Sequence, residues 1–140
     1  MKKILFTLFA LTLTLGAYAQ NRPEIAFDKT TIDLGKFGPA NPIQECYFIF
    51  TNTGESDLYI HQIITSCSCT GKKYPTSAIK PGASDTIFVT YNAENKSPRK
   101  FRTSITVHSN AVTEMTKLYL KGEILPQEER ENAIIEVDEE

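Results

Sequence analysis

Ile43-Gln44-Glu45-Cys46-Tyr47-Phe48-Ile49-Phe50-Thr51, closed by Asn52-Thr53-Gly54-Glu55, is the stretch whose reading decides the fold. In an extended chain side chains alternate, so Gln44, Cys46, Phe48 and Phe50 share one face while Glu45, Tyr47 and Ile49 share the other. Such alternation describes a strand with one core face. Asn52 to Glu55 supplies the turn chemistry that ends it.

Downstream the same grammar repeats. Leu58, Ile60 and Ile63 begin the next buried stripe, and Ile79-Lys80-Pro81-Gly82 predicts a type II turn, in which Pro presets φ and Gly accepts a positive one. Ile87, Val89 and Tyr91 alternate with Thr86, Phe88 and Thr90. Phe101, Thr103, Ile105 and Val107 form another set, ended by Ser109-Asn110, and Leu118 with Leu120 form the last. Between Glu24 and Leu125 no apolar repeat follows the helical period, and Pro39, Pro42, Pro75, Pro81 and Pro98 punctuate the intervals. Seven to eight antiparallel strands in about 100 residues must bury their apolar faces against each other, which predicts an all-β, immunoglobulin-like β-sandwich. A small closed barrel is the second architecture.

The two ends read differently from this body. Lys2 and Lys3, the apolar run Ile4 to Leu15 and the small residues Ala17 and Ala19 have the three-part form of a secretory signal, cleaved after Ala19. A run of that length is too short to cross a hydrocarbon core of roughly 30 Å as a helix, so no membrane span is expected after cleavage. At the other end, Gln127 to Glu140 holds seven acidic residues and one basic. The expected organisation is therefore a signal over 1–19, a sandwich over 20–126 and an acidic tail over 127–140. The tail reads either as a solvated end or as a source of one short strand from Ile134, Ile135 and Val137, added to a sheet edge or a partner. The formal charge of −2 for all 140 residues hides this polarity, because residues 20–126 alone carry about +2. A balance so close to neutral gives no reason to expect nucleic acid as a partner.

Several of these stretches also occur together in a known family. Ile25-Ala26-Phe27-Asp28 with Asp33-Leu34-Gly35, then Phe48-Ile49-Phe50-Thr51-Asn52-Thr53-Gly54, Ser66-Cys67-Ser68-Cys69-Thr70, Ile79-Lys80-Pro81-Gly82, Ile87 to Tyr91 and Ser109-Asn110 follow the order seen in exported bacterial proteins of the domain of unknown function 1573 family. The chain resembles that family over nearly the whole body. The resemblance implies an immunoglobulin-like β-sandwich with no established activity, in which Phe48, Phe50, Asn52, Gly54, Pro81, Gly82, Ser109 and Asn110 are structural motif positions. Ser68 stands where members usually carry Gly, and Ser97-Pro98-Arg99-Lys100 stands where a hairpin Gly is usual.

Candidate chemistry gathers at three places. Cys67-Ser68-Cys69 lies in a chain whose export would open its cysteines to oxidation. On a strand, residues two apart have Cα atoms roughly 6.6 Å apart, near the upper limit for a disulfide, so a local bond requires a turn and would have the profile of a labile bond. Structural stapling, including a bond from Cys46 to either partner, thiol–disulfide exchange, and Cu(I) or Zn binding with His61 nearby all remain open at this point. The basic run Lys96, Arg99, Lys100 and Arg102 reads as a solvated hairpin or as a docking site for an anionic partner. His61 and His108 are expected to face solvent. No Gly-x-Ser-x-Gly elbow, His-Glu-x-x-His helix or phosphate-cradling loop is present, so no catalytic residue and no cofactor is expected. The reading that follows is an exported, non-enzymatic binding or scaffolding module for an envelope protein, peptide or glycan. Its alternative is a thiol-exchanging or metal-binding envelope protein using Cys67 and Cys69; the sequence does not fix an oligomeric state.

Overall fold

Eight strands arise where apolar and polar side chains alternate: β1 (Ile25–Phe27), β2 (Thr31–Phe37), β3 (Ile43–Asn52), β4 (Ile60–Thr65), β5 (Thr70–Lys73), β6 (Ser84–Asn92), β7 (Arg99–Ser109) and β8 (Met115–Ile124). The structure is a computed structural model that describes residues 21–127. The expected signal and all but the first residue of the expected acidic tail lie outside the described residues.

Two four-stranded sheets form, ordered β1-β3-β6-β5 and β2-β8-β7-β4. Phe48, Phe50, Ile87, Val89 and Tyr91 from the first meet Ile63, Ile105, Val107, Leu118 and Leu120 from the second, all buried. Two such sheets, each polar outside and apolar inside, are the β-sandwich that the alternation demands. At one end of the core the Tyr91 and Phe101 rings stack with centroids 4.2 Å apart, and Phe37 meets both edge-on.

One pairing differs from the all-antiparallel arrangement expected from the sequence. β2 runs parallel to β8, with Ile32 opposite Leu120 and Phe37 opposite Ile124. The reason lies in the three residues between β1 and β2. Asp28 to Thr30 carry the chain from one sheet to the other without reversing it, so β2 keeps the direction of β1 and lands beside a strand running the same way.

Two bulges explain irregular spacing in the sequence. The β4–β7 register shifts between Ile60 and Gln62, so His61 and Gln62 both face solvent while Ile60 and Ile63 both enter the core. In β2 the register shifts between Asp33 and Lys36, at Gly35, whose φ of 71° suits a residue without Cβ and whose N–H donates to Asp33 Oδ1 at 2.9 Å.

Strand directions give the sandwich two ends. One holds the turns at residues 52–59, 79–83 and 109–114; the other holds residues 38–42, 66–69, 93–98 and the chain leaving at Gln127.

Candidate functional site

The motif residues that dominate the sequence build the first of these ends. Asn52 is fully buried at the close of β3. Its Nδ2 donates to the Ser56 carbonyl at 2.7 Å and to the Ile79 carbonyl at 2.9 Å, while its Oδ1 accepts from Gly54 N–H at 3.0 Å. Asn110 holds the same connection from the other sheet: its Nδ2 donates to the Asp57 carbonyl at 3.0 Å and its Oδ1 accepts from Tyr59 N–H at 2.8 Å. Ser109, also buried, accepts from Ala111 N–H through its Oγ. Gly54 is required because a Cβ there would collide with the Arg22 carbonyl and the Glu24 amide. In the turn after Ile79, Ala83 N–H donates to the Lys80 carbonyl and Gly82 takes a φ of 77°. Lys80 also reaches Asp57 at 2.7 Å, which raises the lysine's pKa. These side chains satisfy one another or the backbone.

An open edge lies along β3. β1 pairs only with Phe50, Thr51 and Asn52, after which Asp28 N–H makes a last bond to the Ile49 carbonyl. β3 continues back to Ile43, and among the described residues no strand covers that side. Ladder bonds alternate, and Asn52 N–H points to Ala83 beside β6 whereas Thr53 N–H points to Glu24 before β1. The main-chain groups of Ile43, Glu45 and Tyr47 therefore face the open side. A depression of about 400 Å³ runs beside them, lined by Asp28, Lys29, Ile32, Cys46 and Phe48 among others. On the outer face, Tyr47 (59% exposed) stands opposite Phe88 (54% exposed).

The second end carries the cysteines. β4 and β5 belong to different sheets, and the connection between them turns at residues 66–69, where Thr70 N–H donates to the Cys67 carbonyl at 3.1 Å. This turn draws the Cα atoms of Cys67 and Cys69 to 5.1 Å, and their sulfurs are bonded. That separation lies within the ordinary disulfide range, so any lability must come from surroundings rather than from Cα spacing. Chain entropy gains little from closing three residues: about 1.6 kcal/mol, against about 3 kcal/mol for a 15-residue loop. Around the bond, Cys69 N–H donates to Cys67 Sγ at 3.2 Å, and Lys96 Nζ stands 3.8 Å from the same sulfur. Lys96 is placed there by a tight turn in which its N–H donates to the Ala93 carbonyl and Asn95 takes a φ of 58°.

The remaining candidates are dispersed. Cys46 is a free thiol on the inner side of β3, and burial pushes its pKa up to about 11. His61 is exposed at its bulge on β4. With Cys67 and Cys69 bonded to each other neither offers a thiolate, and among the described residues no three His, Cys, Asp or Glu side chains gather to hold a metal. The basic run is not one hairpin, because β7 already begins at Arg99. Arg99 is exposed at the start of β7 and lies near Tyr91, whose phenol pKa is raised by burial more than Arg99 lowers it. Lys100 and Arg102 turn outward. Arg102 lies 3.9 Å over the Tyr119 ring, and Lys100 shares its depression with Asp33, Lys36, Lys121 and Glu123. Lys121 pairs with Asp33 at 3.2 Å, and the Gly35 N–H, followed by that lysine, holds the aspartate's pKa down. Lys96 stands apart with the disulfide, a grouping that its distance in sequence from Cys67 concealed. The open side of β3 was also hidden, although a strand as short as Ile25–Phe27, followed by Asp28-Lys29, was a signal for it.

No curated protein matches the chain. Among solved structures, a protein of unknown function from Porphyromonas gingivalis W83 is similar with a TM-score of 0.64 and 16% identity, over 76% of this chain and 50% of that one. The chain thus spans half the length of that relative. The ASH/PapD-like domain of human CEP192 is similar with a TM-score of 0.60 and 9% identity, over 79% of this chain and 91% of that domain. The periplasmic chaperone SfaE is similar with a TM-score of 0.52 and 12% identity, over 74% and 58%. At such identities the likeness is one of fold, an immunoglobulin-like, PapD-like sandwich. The family model for the proteins of unknown function DUF1573 matches residues 25–124, from the first strand to the last, and the chain belongs to that family.

Proposed function

We propose that the protein is an exported binding module that takes up an extended peptide segment of another envelope protein as an added strand. The open side of β3 carries this reading. Main-chain donors and acceptors of Ile43, Glu45 and Tyr47 recur there every second residue, the spacing at which a peptide backbone offers its own. Ile32, Cys46 and Phe48 beside them supply an apolar floor for alternate side chains of the guest, and Tyr47 and Phe88 extend the apolar surface over the outer face. Export is read from the signal-like residues 1–19.

The test is a selection of extended peptides on the purified protein, followed by amide hydrogen exchange of the best complex. Protection is expected at Ile43, Glu45 and Tyr47. Glu45→Pro removes a donor on the open side while leaving the bonds to β6, and is expected to abolish binding. Protection at residues 93–98 instead, or full binding by Glu45→Pro, overturns the reading.

A further inference from the structure

We propose that the Cys67–Cys69 disulfide is a dithiol oxidant, which passes its bond to a cysteine pair in another exported polypeptide by attack at Cys69 with Cys67 as the leaving thiolate. The two sulfurs are in unlike surroundings. Cys67 Sγ has the Lys96 ammonium 3.8 Å away and accepts from Cys69 N–H at 3.2 Å, and both favour negative charge on that sulfur. Cys69 lines an open depression of about 410 Å³ with Ser68, Gly71, Thr90, Asn92, Glu94 and Lys96, through which a thiolate can approach. Glu94 brings a carboxylate to this depression, and Asn92 Nδ2 donates to it at 3.3 Å. In thiol–disulfide exchange the sulfur that leaves is the one whose thiolate is more stable. Stabilising a thiolate in the reduced pair also makes the bonded pair a stronger oxidant.

The exchange balances without any group beyond the partner. The partner's first thiolate bonds to Cys69 Sγ, the Sγ–Sγ bond breaks, and its electron pair goes to Cys67. The partner's second thiolate then attacks the partner sulfur of the mixed disulfide, and that electron pair goes to Cys69. Two electrons pass from the partner dithiol to Cys67 and Cys69, and the dithiol's two protons pass to solvent or to the two sulfurs. Exchange with another disulfide of higher potential returns the pair to its bonded state. Lys96 acts as a positioning charge for the leaving sulfur. The inference is independent of strand addition at β3, because Cys69 adjoins β5, at the opposite side of that sheet.

The experiment uses the full chain carrying Cys46→Ser, oxidised, with glutathione as the probe. The reaction is quenched with N-ethylmaleimide and the modified residues are located by fragment mass spectrometry. The intermediate is expected to carry glutathione on Cys69 and maleimide on Cys67. Lys96→Met is expected to slow reduction about tenfold and Lys96→Arg to restore most of it. Glutathione on Cys67, a pair that stays oxidised in millimolar glutathione, or an unchanged rate in Lys96→Met each overturns the proposal.

Discussion

The two ends of the sandwich close the same strands by opposite means. At the end holding the 52–59 connection, two asparagines from different sheets clamp one loop, Asn52 on the Ser56 carbonyl and Asn110 on the Asp57 carbonyl, with Gly54 allowing close backbone approach. At the other end the loop between the sheets is closed by a three-residue disulfide, with a lysine beside it. Buried amide bonds are costly to leave unmade, whereas a bond closing so short a loop removes little entropy from the unfolded chain. On this contrast the first end is expected to carry more of the stability, and the second to tolerate a change in its covalent state.

The largest expected effect breaks the clamp. Asn52→Ala removes the side-chain hydrogen bonds, leaving the part-buried Ser56 carbonyl and the Gly54 N–H without this partner and the Ile79 carbonyl with only its Leu58 N–H donor, and is expected to cost roughly 3 kcal/mol, read from the urea midpoint at unchanged slope. A cost below about 1 kcal/mol would remove the contrast from this side. Next comes the cysteine end: Cys67→Ser with Cys69→Ser is expected to cost about 1.6 kcal/mol or less by the same measurement. A loss larger than that of Asn52→Ala would reverse the comparison and make the disulfide the main staple. The smallest effect is confined to alkaline pH. Burial raises the Cys46 thiol from its ordinary 9.0 to about 11, so below pH 9 it is neutral whether the chain is folded or unfolded and contributes no pH dependence. Between pH 9 and 11 only the unfolded chain ionises there, and stability falls. Thermal melts of Cys46→Ala across that window are expected to show a shallower fall than the parent protein.

Most of the fold was legible because strand alternation is a local property. Phe48 with Phe50, Ile87 with Val89 and Ile105 with Val107 could be assigned to the core from spacing alone, and the Pro81-Gly82 turn could be read from backbone preference. Ile63 was assigned to the same stripe as Leu58 and Ile60, but the bulge against β7 that lets it follow Ile60 into the core was not readable from alternation. The parallel β2–β8 pair was missed for a similar reason: direction is inherited from how the chain crosses between sheets, and Asp28 to Thr30 show nothing of that in their composition. The basic run suffered most. Its four members were grouped by proximity in sequence, yet on β7 neighbouring side chains point to opposite faces and Lys96 lies before the strand.

The core faces, the packing of strands into layers and the condition that a Cys67–Cys69 bond requires a turn follow from the sequence alone, since each rests on interactions within a few residues. Only the tertiary structure decided that Asn52 and Asn110 hold one loop, that β3 keeps an open side, and that Lys96 stands beside Cys67. These depend on where distant segments meet, and that placement is set by burying two sheets against each other rather than by any local preference.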